Sequence, residues 1–188
     1  MKKLFIIAMM SLMSMGAFAQ EAGEMFVKPM VGGTLATLRG DDVNDHAKLK
    51  FGLIAGAEFG YMLGDQFGVT AGLLYSMQGA ADDRNSDHNI NMDYLNIPIL
   101  ANYYIIPGLA VKAGIQPGFL MRAKSDDVDI KDTFKSLDLA IPLGVSYEFS
   151  DFVIDARYNF SLTKLPDHGD GKVYNSVIQL TIGYKIPL

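Results

Sequence analysis

The sequence predicts an all-β fold: an eight-stranded antiparallel up-and-down transmembrane β-barrel, preceded by a cleaved signal peptide. Three observations predict it. Apolar residues alternate with small or polar ones at a period of two over stretches of about a dozen residues. The connections between these stretches are short and long in turn. The mean hydropathy of +0.17, with 49% hydrophobic residues, is high for a soluble domain. Yet beyond residue 19 no run reaches the roughly 18 apolar residues of a membrane helix. At 188 residues the chain holds one ordinary domain. The absence of Cys excludes disulfide scaffolds, thiolate zinc sites, Cys nucleophiles and lipid anchoring at a Cys. A formal charge of −5 argues against nucleic acid, whose phosphates need a basic surface.

Residues 1–19 read as the signal. Lys2 and Lys3 form the charged start, residues 4–15 the apolar stretch, and Ala17-Phe18-Ala19 the small-residue cleavage pattern. The apolar stretch is too short for a permanent membrane helix. Cleavage after Ala19 divides the chain into a signal peptide, 1–19, and a barrel domain, 20–188. Losing Lys2 and Lys3 leaves 14 basic side chains against 21 acidic ones, a mature charge of −7.

Eight strands follow, at 26–37, 49–62, 67–78, 92–105, 109–122, 137–149, 152–163 and 175–186. In the first, Gly32-Gly33 marks a kink. In the second, Phe51, Leu53, Ala55, Ala57, Phe59 and Tyr61 share one face, and Gly52, Ile54, Gly56, Glu58, Gly60 and Met62 the other. The four-residue spacing of Gly52, Gly56, Gly60 and Gly64 suits packed membrane helices too, but Glu58 and the surrounding alternation favour a strand. The third sets Phe67, Val69, Ala71, Leu73, Tyr75 and Met77 against a face of Gly, Thr, Ser and Gln. In the sixth, Leu137, Leu139, Ile141, Leu143, Val145, Tyr147 and Phe149 oppose a face that carries Asp138, Ser146 and Glu148.

Gly64-Asp65-Gln66, Pro107-Gly108 and Ser150-Asp151 form tight turns. The stretches 38–48, 79–91, 123–136 and 164–174 are long, polar and hold most of the acids. This is the pattern of short periplasmic turns and longer outside loops. The apolar parity carries Phe59, Tyr61, Phe67, Tyr103, Phe149, Phe152 and Tyr184 near the turns, and Phe51, Tyr75, Phe119 and Phe160 near the loops. Two aromatic girdles are expected there, facing lipid. A soluble eight-stranded calyx would point the same face inward. The small, Gly-rich second face and the strict loop alternation favour the membrane.

Three segments carry a family resemblance. Tyr94-Leu95-Asn96-Ile97-Pro98-Ile99-Leu100 resembles a run of the PorT-like outer-membrane β-barrel family. Asp155-Ala156-Arg157-Tyr158-Asn159-Phe160-Ser161-Leu162 is similar to its penultimate strand, and Gly183-Tyr184-Lys185 to its closing strand. The resemblance spans the mature chain. It implies an eight-stranded barrel placed in the outer membrane after periplasmic transit, with no shared activity. The terminus departs from the family pattern: Ile186-Pro187-Leu188 stands where an aromatic residue usually ends the chain, which leaves recognition by the assembly machinery to Tyr184 and Leu188.

The inward parity selects a constellation of ionisable residues: Lys28, Glu58, Lys112, Arg122, Asp138, Glu148, Asp155, Arg157 and Lys185. An eight-stranded barrel is just wide enough for side chains to fill, and an unpaired charge inside would cost several kcal/mol. The expectation is a salt-bridged structural network that plugs the lumen, with a narrow proton or ion path as the alternative. Asp155 and Arg157, two apart on one strand, share a face. Asp45-His46, Asp87-His88 and Asp167-His168 recur in three loops, beside Asp41-Asp42, Asp82-Asp83 and Asp126-Asp127. They compose a loose divalent-metal candidate, although Asp is also what polar turns favour. Ser161 lies inward near Asp155, with His168 in the following loop, but no nucleophile elbow or phosphate loop accompanies them.

The expected protein is therefore a non-enzymatic outer-membrane barrel with no catalytic, cofactor-binding or metal residues assigned. It would be structural, adhesive or partner-binding through acidic loops. A narrow channel or transporter, and a lipid-modifying enzyme, are the alternatives. The expected partners are outer-membrane lipid, periplasmic chaperones, the barrel-assembly machinery and an unidentified protein or surface ligand at the loops. Nucleic acid is not expected, and the barrel is expected to be a monomer.

Overall fold

The computed structural model describes residues 22–40, 47–82, 90–125, 128–164 and 173–188. The predicted signal at 1–19, its cleavage site and every Asp-His pair lie outside the described residues. In chain order the strands are β1 (Met25–Arg39), β2 (Ala47–Lys48), β3 (Lys50–Gly64), β4 (Phe67–Asp82), β5 (Ile90–Asn96) and β6 (Ile99–Ile106). Then come β7 (Leu109–Ser125), β8 (Val128–Asp129), β9 (Leu137–Phe149), β10 (Phe152–Lys164), β11 (Tyr174–Tyr184) and β12 (Ile186–Pro187).

Together they close an eight-staved antiparallel barrel. β5 and β6 lie end to end between β4 and β7, and β12 extends the line of β11 along β1. β1 closes the cylinder, pairing with β3 from Met25 opposite Tyr61 to Ala36 opposite Lys50, and with β11 from Met30 opposite Gly183 to Arg39 opposite Tyr174. With no free edge, each stave of the wall pairs with a neighbour on both sides. Closure is what lets strands rather than helices cross lipid. Among the described residues no helix is long and apolar enough to do so.

The fourth predicted strand, 92–105, is broken at Ile97-Pro98, because Pro98 has no N–H to give the ladder. The missing rung is patched by the Ile97 N–H, which donates to the Pro117 carbonyl at 2.8 Å, and by the Gly72 N–H, which donates to the Pro98 carbonyl at 2.9 Å. Pro29 and Pro142 likewise stand where the pairing of β1 with the last strand, and of β9 with β7, is interrupted. The last predicted strand, 175–186, is interrupted at Lys185, whose N–H turns to the Asp151 carbonyl. On the loop side the ladder runs past the predicted ends. β4 reaches Asp82 and pairs with β2, and β7 reaches Ser125 and pairs with β8. At 15 to 17 residues, β1, β3, β4 and β7 exceed the roughly 9–11 needed to span hydrocarbon.

The two faces divide cleanly. Phe51, Leu53, Leu73, Ile154, Leu180 and Ile182 are among the many large apolar side chains exposed on the outer wall. All the aromatic residues expected in the girdles lie on that outward parity, and Phe152 meets Tyr184 edge-on with ring centroids 5.2 Å apart. Of the tight turns, Pro107-Gly108 is set by Gly108, whose φ of 81° a side chain would oppose.

Closure by β1 and β11 predicts a cross-link. In a Leu35→Cys, Ile178→Cys double variant, oxidation should join the two thiols within one monomer, seen as a mobility shift reversed by reductant, because these positions face each other on the outer wall. A pairing slipped by one residue would put the two thiols on opposite faces and leave them unjoined.

Candidate functional site in the lumen

The inward parity of four strands delivers one chain of alternating charge across the barrel. Lys28 of β1 stands directly opposite Glu58 of β3, with Nζ 2.9 Å from Oε2. The other Glu58 oxygen is 2.5 Å from Arg157 Nη1. Arg157 of β10 also clasps Asp155, two residues back on its own strand, with Nε 2.6 Å from Oδ1 and Nη2 2.9 Å from Oδ2. Lys112 of β7 ends the chain 2.6 Å from Asp155 Oδ2. The order Lys28, Glu58, Arg157, Asp155, Lys112 gives each inner member two opposite charges. All five are buried, Asp155 at 0% exposure and Glu58 at 1%. Such charges are tolerated only because the geometry satisfies them.

Glycines make room for these long side chains. Gly72 lies opposite Glu58, and Gly144 opposite both Arg157 and Lys112. A Cβ at Gly144 would stand 2.5 Å from the Ala156 carbonyl oxygen and 2.9 Å from Arg157 Cγ.

A second cluster lies toward the turns. Lys185 Nζ sits 3.0 Å from Glu24 and 3.6 Å from Glu148, and 4.6 Å above the Phe26 ring. The Tyr104 hydroxyl donates to Glu148 at 2.6 Å. Sequence reasoning missed Glu24 and Tyr104. The signal for Glu24 was its shared parity with Phe26 and Lys28. Across the two clusters Lys28, Lys112, Arg157 and Lys185 stand against Glu24, Glu58, Glu148 and Asp155, so the charges balance.

Of the nine residues expected inward, two stand apart. Asp138 faces the lumen nearer the loops and accepts a hydrogen bond from the Ser161 hydroxyl. Arg122 is not in the lumen. A one-residue bulge at Met121 shifts the pairing of β7 with β5, so Leu120 opposes Tyr94 while Arg122 opposes Asp93. The extra residue flips Arg122 to the exposed outer face.

Apolar side chains flank the charge chain on both sides. Phe26, Met62, Tyr104 and Ala110 pack on its turn side, and Met30, Ile54 and Leu74 on its loop side. Near the outer mouth Met92, Tyr94, Leu120 and Ala123 form another plug, against Ile90, Ile130 and Phe134. Arg39 lies at the same end, its guanidinium 3.5 Å from the centre of the Phe160 ring and bonded to the Ser161 carbonyl. Among the described residues no group of three or more His, Asp and Glu side chains could hold a metal ion.

A family profile described as outer membrane protein beta-barrel domain matches residues 18–167. No curated protein matches the chain. Among solved structures, Ail, the attachment invasion locus protein of Yersinia pestis, aligns with a TM-score of 0.53 at 19% identity, over 88% of this chain and 99% of that one. Ail in complex with the heparin analogue sucrose octasulfate aligns at 0.50 and 20% identity, over 88% and 99%. Neisserial surface protein A aligns at 0.56 and 13% identity, over 86% and 97%. Likeness at these identities is likeness of fold.

Two substitutions test the layer. Asp155→Asn strips the charge that Lys112 and Arg157 share and should destabilise the refolded barrel by about 3–5 kcal/mol, measured as a lowered urea midpoint. Gly144→Val should cost about 1–3 kcal/mol through overpacking against Arg157, while Gly64→Val, where a Cβ meets nothing within 4 Å, should leave the midpoint nearly unmoved.

Proposed function

Because this chain belongs to the family of outer membrane protein beta-barrel domains and resides in the outer membrane, we propose that it is a closed scaffold that presents its outside loops to a partner. Within that family we place it on the PorT-like branch, on the strength of the run from Tyr94 to Leu100. The observation that carries the reading is the filled lumen. A charge chain with every member paired, flanked by apolar side chains on both sides, supports a lumen that is plugged rather than conducting. What remains free to interact is the outer wall, which lipid covers, and the loop end.

The chemistry of the loop end sets the class of partner. The stretches 38–48, 79–91, 123–136 and 164–174 are rich in Asp and suit a cationic surface on another protein or ligand. The Yersinia pestis protein has been solved with an octasulfate, a polyanion; the acidic loops here suit the opposite sign. The barrel acts as a monomer delivered by periplasmic chaperones and the assembly machinery, and carries out no enzymatic step.

A pull-down from surface extracts with the mature barrel, compared with variants lacking 79–91 or 123–136, tests this. The expected result is capture that at least one deletion abolishes while heat-modifiable mobility shows an intact barrel. Capture should also weaken as ionic strength shortens the Debye length below about 8 Å. Capture indifferent to both deletions and to salt would sink the reading.

A further inference from the structure

The loop-side half of the lumen contains a small polar chamber that the charge chain does not use. Gln78, Asn96, Gln116, Asp138, Asn159 and Ser161 line it, beyond the layer of Met30, Ile54 and Leu74. Its free space of about 10 Å³ holds one particle the size of a water molecule. Gln116 and Asn159 are each 4% exposed, and Gln116 Oε1 and Asn159 Oδ1 have no hydrogen-bond partner. Asp138, 8% exposed, adds a carboxylate whose described hydrogen bond comes from Ser161, with the charge of Arg39 acting on it from the rim. Gln78 is already engaged, accepting from Asn175 at 2.5 Å and donating to Ser76 at 3.0 Å.

The unpartnered buried atoms among these lining residues are thus oxygens. Leaving them desolvated and unmatched costs free energy that a positive guest would recover. Amide oxygens can replace the hydration shell of an ion, as carbonyls do in cation filters. A single carboxylate supplies charge for one monovalent ion, whereas calcium takes about six to eight oxygens, with several carboxylates among them. We propose that this chamber binds one monovalent cation of sodium or potassium size through the Asp138 carboxylate and the amide oxygens of Gln116 and Asn159. The ion ties β7, β9 and β10 together above the charge chain, where the lumen would otherwise hold unmatched oxygens.

The test uses the refolded mature barrel. Crystals grown in rubidium or thallium(I) salt should show an anomalous peak in the chamber, next to Asp138. In solution, replacing N-methylglucamine chloride by potassium chloride at fixed ionic strength should raise the unfolding temperature. Asp138→Asn should remove that rise, and Gln116→Met should shift it to at least about tenfold higher potassium, the order expected for one lost ligand. A chamber that holds only water in those crystals, without anomalous signal, overturns the proposal. So does a potassium response identical in wild type and in Gln116→Met, a variant that preserves volume and keeps the test valid if Asp138→Asn does not refold.

Discussion

The structure depends on one constraint: a charge that points into a closed eight-stranded barrel must find its opposite inside it. Lipid covers the wall, the lumen is barely wider than its side chains, and neither supplies solvation. The run from Lys28 through Glu58, Arg157 and Asp155 to Lys112 answers that constraint. It joins β1, β3, β10 and β7, strands far apart in sequence, and so favours one barrel size and one register. A strand slipped by one residue would turn its charge into the hydrocarbon. The glycines at 72 and 144 belong to the same solution, since the charged side chains occupy the space their Cβ atoms would fill.

Much of this was legible in the sequence. Period-two alternation located all eight staves, the turn-and-loop rhythm gave their order, and parity placed Lys28, Glu58, Lys112, Asp155, Arg157 and Lys185 in the lumen. The misses have specific causes. Arg122 moved to the outer face because parity counting assumes an uninterrupted strand, and nothing about Met121 announces a bulge. Glu24 escaped because it precedes the first recognisable strand, although its parity matched. The break at Pro98 is hidden in the sequence because the apolar pattern carries on across it. The carboxamides of the chamber went unremarked because Gln and Asn look like ordinary polar lumen residues until their partners are known. Which groups they bond to is a property of the closed barrel, not of any one strand.

The same layering links structure to role. Hydrophobic residues here form an outer skin for lipid, together with small apolar clusters that flank the charges. The acidic excess of the sequence belongs mostly to the long connections at one end of the barrel. A barrel built this way uses its interior to hold its shape, and under the proposed function recognition falls to its rim.

Closure of the paired lumen can be read from recordings of the refolded mature barrel in planar bilayers. The wild-type protein should give no resolvable conductance steps at any voltage the bilayer tolerates. Stepwise, ion-selective currents from the wild type, with a selectivity altered by neutralising Arg157 or Lys112, would contradict it.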